Sequence, residues 1–227
     1  MHSLSNQKII CSKVTKVFST VGTPVEVLRG IDLTLSNENA ISVVGASGCG
    51  KSTLLYLLAG LELPTTGEIT VAGLSLNSLT EKEKNIMRNR TFGFVYQFHH
   101  LLAEFTAEEN VAMPLLISGS NRMSAINRAR EILKKTGLSN RFGHKPGQMS
   151  GGERQRTAIA RALVSKPTYL IADEPTGNLD QENANTVQNL LFELNRTEGV
   201  QLIIATHDYS FAKKTDRIYQ LKNGTLK

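Results

Sequence analysis

The chain has 227 residues, 40% hydrophobic and 20% charged, which describes an ordinary soluble globular protein of one or two domains with room for a sizeable core. Its formal charge of +6 comes from scattered basic residues with no run of five like charges, so charge makes little case for nucleic acid or an anionic membrane face. No apolar run reaches the roughly 18 residues of a membrane span, the start Met1–Lys8 lacks a signal-peptide apolar region, and two cysteines make no disulfide framework. The expectation is a cytoplasmic protein with reduced thiols whose membrane role, if it has one, runs through a partner.

Residues 8–17, rich in Ile and Val, read as a strand, and Val27–Leu35 as another ending at the turn cluster Ser36-Asn37-Glu38-Asn39. Ala40–Val44 is a short buried strand that runs into a glycine-rich loop and then an apolar helix carrying Leu54, Leu55, Leu57 and Leu58, closed at Gly60. Gly67–Val71 with Ala72-Gly73 is a strand and a turn. Turns rather than helices join these early strands, so they are expected to be antiparallel. Thr80–Arg90 predicts a helix with Thr80 and Glu83 as a capping box, and Phe92–Tyr96 a compact strand.

From Thr106 to about Arg141 the pattern is helical, with apolar faces over Glu108–Leu116 and Ser124–Thr136, the latter ending at Gly137. There follow a helix over Gly152–Ser165, a strand at Tyr169–Ala172, a helix over Glu182–Asn195, a strand at Val200–Ala205 and a last strand at Ile218–Leu221. Strands alternating with helices at both ends predict an α/β protein with a parallel sheet covered on both faces. An all-helical insertion occupies about 98–150. No repeat, low-complexity tract or linker is visible, so the parts are expected to pack as one unit.

Chemistry concentrates first at Gly45-Ala46-Ser47-Gly48-Cys49-Gly50-Lys51-Ser52, the G-x-x-x-x-G-K-[ST] phosphate loop, set between a strand and a helix as that motif requires. Gly45, Gly48 and Gly50 are expected to give the backbone conformations that a side chain would block. The amide N–H groups and the helix N-terminus then favour an anion. Lys51 should reach the outer phosphates and Ser52 a magnesium ion. Cys49 reads as a small side chain at a variable loop position.

The strand 169–172 ends in Asp173 and Glu174, a pair suited to holding Mg²⁺ and accepting a proton from an attacking water. Ser150, Gly151 and Gly152 open a helix, with Ser150 and Glu153 matching a capping box and the same N–H groups suited to an anion. His207 and Gln97 sit at strand ends, and Asp180 precedes a helix. Taken singly, these three are equally explained as ordinary structural residues.

Phosphate loop, strand-end Gln97, Ser-Gly-Gly-Glu at 150–153, Asp173-Glu174, Asn178-Leu179-Asp180 and strand-end His207, in this order over essentially the whole chain, resemble the ATP-binding cassette (ABC) ATPases. The resemblance implies an ABC ATPase (P-loop NTPase) fold in a single domain. Residues 1–97 and 151–227 would form a RecA-like core with an N-terminal antiparallel β subdomain, and 98–150 a helical subdomain.

It further implies a homodimer with Mg²⁺ and ATP held between subunits. Gly45 through Thr53 would bind nucleotide, Ser52, Gln97 and Asp173 the metal, and Glu174, His207 and Gln97 would serve hydrolysis. The second subunit would present Ser150, Gly151 and Gly152 to the γ-phosphate and Asp180 to the interface. Phe18 matches the adenine-stacking position, where Tyr is more usual. Met149 and Glu153 are further departures, and neither removes an expected catalytic group.

A narrower resemblance runs through Tyr96–Leu102, Phe105–Ala107 and Glu109–Leu116 to the ATPases of lipoprotein-releasing systems. It implies a translocase attached peripherally to the cytoplasmic face of the inner membrane, working with two integral-membrane permease subunits and without nucleic acid. The neighbouring alternatives are macrolide-efflux or cell-division ABC complexes and, more distantly, a soluble non-transport ABC ATPase.

Overall fold

The structure, a computed structural model, describes residues 8–19, 22–36 and 38–227. The polar start before Lys8 and Asn37 of the expected turn cluster lie outside them. In chain order the elements are β1 (Ile9–Phe18), β2 (Val25–Leu35), β3 (Ala40–Val44), α1 (Lys51–Leu58), β4 (Thr66–Val71), β5 (Leu74–Ser75), α2 (Glu81–Thr91) and β6 (Phe92–Val95). They continue with α3 (Ala107–Ile117), α4 (Arg122–Lys135), α5 (Gly151–Leu163), β7 (Tyr169–Asp173), α6 (Gln181–Glu198), β8 (Gln201–Thr206), α7 (Tyr209–Ala212), β9 (Arg217–Lys222) and β10 (Thr225–Leu226). The described residues divide into two compact units, those up to Arg88 together with 203–227, and 89–202.

In the first unit, four strands form an antiparallel sheet in the order β2-β1-β4-β5. Side chains alternate along each strand. Register pairs Ile9 with both Leu35 and Val71, so Ile9, Cys11, Leu33, Leu35, Ile69 and Val71 are buried. A bulge between Cys11 and Val14 puts Lys13 at φ 49°, and its N–H donates to Asp32 Oδ1 at 2.8 Å.

The early strands are antiparallel as expected except β3, which pairs in parallel with β9, Ile41 opposite Arg217 and Val44 opposite Gln220. Every β3 residue is buried, the pattern of a strand covered on both faces, where parallel pairing belongs. Ile218–Leu221 is also not the last strand. Asn223 at φ 52° and Gly224 at φ 77° make the tight turn of a β9–β10 hairpin, a recognisable Asn-Gly hairpin signal. Helix α7, capped by Asp208, was likewise not foreseen.

In the second unit β6 and β7 are parallel, with Phe92 opposite Tyr169 and Val95 opposite Ala172. This register decides the site, because the residues that follow the two strands emerge side by side. Helix α5 lies hard against β6: a Cβ on Gly93 would stand 2.2 Å from the Ala162 carbonyl oxygen. The faces of α3, α4 and α5 bury Val111, Ala129, Ile132, Leu133, Ala158 and Ile159, at about 1.5–3 kcal/mol for each large aliphatic side chain. Asn110, buried, accepts from Leu102 N–H and donates to the carbonyls of Leu102, Phe105 and Thr106, fixing the loop before α3.

Candidate active site

In the first unit the phosphate loop leaves buried β3 and enters α1 through Gly50, whose φ of 105° an L side chain rarely adopts and where a Cβ would stand 2.8 Å from Val27 Cγ1. Gly48 also has positive φ, as expected. Gly45 is required for a different reason, close approach: a Cβ there would meet the Leu221 carbonyl oxygen at 2.5 Å and Cys49 Sγ at 2.6 Å.

Helix α1 has no side-chain cap, whereas α3, α4, α5 and α6 are each capped by a side chain. Its first-turn N–H groups are therefore not engaged by a capping side chain, which suits an anion at the helix N-terminus. Lys51, 7% exposed, folds back so that Nζ donates to the carbonyls of Gly45 at 2.9 Å and Ala46 at 3.3 Å, holding a positive charge over the loop. Ser52 and Thr53 are half-buried in the same turn.

A cavity of about 470 Å³ is lined by Gly45, Ala46, Cys49 and His207 together with the Gln220–Asn223 stretch. The structure thus brings His207, which follows β8, to the phosphate loop. Phe18 lies at the end of β1, half-buried, with Lys16 Nζ 4.9 Å from its ring centroid. That contact gives the aromatic face a cationic neighbour.

In the second unit the strand ends place Gln97 two residues past Val95 and Glu174 two past Ala172. Asp173 is 9% exposed at the end of β7. Glu174 has φ 46°, a left-handed conformation uncommon outside glycine, and its carbonyl accepts from Gly177 N–H at 3.0 Å. Gln97 is bonded in both directions to Asn178: its Nε2 donates to Asn178 Oδ1, and its carbonyl accepts from Asn178 Nδ2, each at 3.3 Å. The sequence singled out Asn178 only as part of Asn-Leu-Asp, and its partner lies 81 residues away.

Ser150 caps α5, accepting from Glu153 N–H at 3.2 Å, while Ser150 N–H donates to Glu153 Oε2 at 2.8 Å. That N–H, with the Arg141 guanidinium as second cause, holds the Glu153 carboxyl below its usual range. Gly151 and Gly152 form the first turn, and a Cβ on Gly152 would stand 2.3 Å from Asn183 Oδ1. Asp180, exposed, caps α6 by accepting from Asn183 N–H at 2.9 Å, and the Asn183 bonds hold its carboxyl low.

Within the first unit the predicted residues Gly45–Thr53 and His207 come together. Within the second, Gln97 joins the Glu174–Asp180 turn. A residue without any assigned role in the sequence, Gln155, touches both strand ends of the second unit. Its only sequence signal is its position just inside the Ser-Gly-Gly helix.

The ABC transporter family model matches residues 28–177. The lipoprotein-releasing system ATP-binding protein LolD of Psychrobacter arcticus is 52% identical over 214 residues, covering 94% of this chain and 95% of that protein. LolD of Alcanivorax borkumensis is 51% identical over 215 residues, covering 95% and 94%. Among solved structures, the dimeric bacterial ABC transporter cassette MJ0796 superposes with a TM-score of 0.88 at 36% identity over 96% of each chain. A post-hydrolysis state of the same cassette, bound to ADP and Pi, gives 0.88 at 35%. Phosphate loop, fold and relatives agree, and the chain belongs to the ABC transporter family.

Proposed function

We propose that this chain is the ATP-hydrolysing subunit of an ABC transporter that releases lipoproteins from the inner membrane toward the outer membrane. The phosphate loop, with its uncapped helix N-terminus and Lys51 charge, carries the ATPase reading. The 52% identity to a lipoprotein-releasing ATPase over 94% of the chain supports the transport class. Residues 98–150 serve as the helical subdomain within a single functional domain. The subunit acts as a homodimer at the cytoplasmic face, bound to two permease subunits of the lipoprotein-releasing type. Among the described residues no helix is long and apolar enough to cross a membrane, so attachment through such partners fits.

In this reading residues 45–53 bind the triphosphate, and Lys51 moves from the loop carbonyls to the outer phosphates. Phe18 stacks on adenine. Glu174 takes the proton of the attacking water, and His207 and Gln97 orient water and γ-phosphate. Ser150, Gly151 and Gly152 of the second subunit close over the γ-phosphate, with Asp180 at the interface. Ser52, Asp173 and Gln97 offer hard oxygen donors of the kind magnesium accepts. Magnesium would complete its shell with waters and substrate phosphate oxygens, so the lack of a cluster of three metal-ligating side chains among the described residues is no obstacle. Bound there, magnesium supplies charge neutralisation at the phosphates.

A tagged Glu174→Gln chain, expressed in its own cells and recovered with ATP from detergent-solubilised membranes, tests this. Two related multi-span subunits of the lipoprotein-releasing type are expected by mass spectrometry. A different permease would move the cargo, and no membrane protein at all would remove the transport reading.

A further inference from the structure

The turn after Glu174 and the segment around Gln97 share one buried support. Gln155, on the second turn of α5, is 1% exposed. Its Nε2 donates to the Pro175 carbonyl at 2.8 Å and to the Tyr96 carbonyl at 3.3 Å. Pro175 directly follows Glu174, and Tyr96 directly precedes Gln97. With the amide nitrogen committed to two carbonyls, Oε1 is the acceptor toward His99 Nδ1, 2.6 Å away, so His99 carries its proton on Nδ1. Burial, the largest cause, pushes the His99 imidazole down, consistent with a neutral donor ring.

Nearly two turns further along the same helix, Arg161 donates to the carbonyls of His99 and His100, each at 2.7 Å. His100, at φ 47°, and Glu174, at φ 46°, are the two non-glycine residues of these segments in the left-handed region. Such conformations persist where the surroundings over-determine them. Here α5 supplies the determination at both points.

We propose that Gln155 is a positioning residue for hydrolysis: through Pro175 and Tyr96 it sets the backbone of Glu174 and Gln97 together, with His99 as its orienting partner. The inference rests on Glu174 and Gln97 acting at the γ-phosphate, as proposed above. One amide thus ties the helix that opens at Ser150 to both strand ends. Losing it frees the Glu174 turn without touching the phosphate loop, so the defect belongs in turnover and not in nucleotide affinity.

The test is steady-state ATPase kinetics of the full chain for Gln155→Leu, His99→Leu and His99→Asn, alongside Glu174→Gln. Gln155→Leu is expected to lower kcat about tenfold, since small misplacement of reacting groups is costly, and to leave KM for ATP within about twofold. His99→Leu should fall in the same direction. His99→Asn, which keeps an N–H donor near the Nδ1 position, should restore most of the turnover. Independently of activity, hydrogen exchange of peptides covering 173–180 should quicken in Gln155→Leu without nucleotide, because Gly177 N–H loses the turn that holds it to Glu174.

A Gln155→Leu chain with kcat and exchange both unchanged overturns the proposal. Should that variant not fold, equal wild-type turnover in His99→Leu and His99→Asn overturns it instead. Full turnover in Glu174→Gln would sink the underlying assignment of the base, a result distinct from a dead Glu174→Gln beside an unaffected Gln155→Leu.

Discussion

Lys51 and the two cysteines show how far single side chains are governed by their surroundings. The Lys51 amine is held at the phosphate loop by two loop carbonyls, which it exchanges for phosphate oxygens when a triphosphate binds. A hydrogen bond to a charged group contributes about 1.5–3 kcal/mol. Lys51→Ala is therefore expected to weaken binding of a nonhydrolysable ATP analogue by roughly tenfold to a hundredfold. A dissociation constant within twofold of wild type would place the phosphates elsewhere. Cys11 is 3% exposed in β1, and burial with Asp32 pushes its thiol up to about 12, so at pH 8 it is an unreactive neutral group. Cys49 is half-buried in the phosphate loop. A maleimide at pH 8 should label Cys49 alone in the folded protein, more slowly with ATP present, and reach Cys11 only on unfolding. Comparable labelling rates at both thiols in the folded chain would contradict this burial.

At the scale of elements, the helix ends are where local sequence and structure coincide most closely. The Ser150–Glu153 box on α5 joins a cap to a depressed carboxylate. Because the folded pKa lies below the unfolded one, its stabilisation is present above the ordinary glutamate range and is lost as pH falls through the depressed value. Glu153→Gln keeps the box but not the charge. Wild type should therefore exceed Glu153→Gln in urea midpoint at pH 7, and the gap should narrow as pH falls below the ordinary glutamate range. A gap independent of pH would mean that the charge contributes nothing.

The Thr80–Glu83 and Ser150–Glu153 boxes were legible because a three-residue spacing carries the whole interaction. The phosphate loop was legible for the same reason. The pairing of β3 was not: its partner Arg217 stands far down the chain from Ile41, and an apolar run of five residues does not state its direction. Nor did spacing reveal Gln155, whose bonds to Tyr96 and Pro175 exist only once β6, β7 and α5 have packed. Asn223-Gly224 was legible in principle, and the hairpin it makes extends the sheet beyond the strand expected to be last.

At the scale of the whole molecule, the exposed helix starts at Ser150 and Asp180 gain an intermolecular role in the homodimer proposed above. Both side chains cap their own helices, yet the family resemblance assigns both to a dimer interface, and the relative solved at 36% identity is a dimer. ATP held between subunits would make association depend on the γ-phosphate, so a chain that binds but does not hydrolyse should stay associated. Glu174→Gln with saturating Mg²⁺ and ATP is accordingly expected to sediment as a dimer, and wild type to return to monomer as ATP is consumed. Ser150→Ala must be read with its helix cap in mind, because loss of that bond alone destabilises by about 1 kcal/mol. Placed in the Glu174→Gln background, it should lower Tm by only a few degrees while abolishing the ATP-dependent dimer and leaving nucleotide affinity of the monomer nearly unchanged. If instead the double variant dimerises normally, Ser150 is a cap and nothing more. If Glu174→Gln binds ATP tightly yet remains monomeric at every concentration tested, nucleotide does not join two copies of this chain, and closure must depend on the membrane subunits.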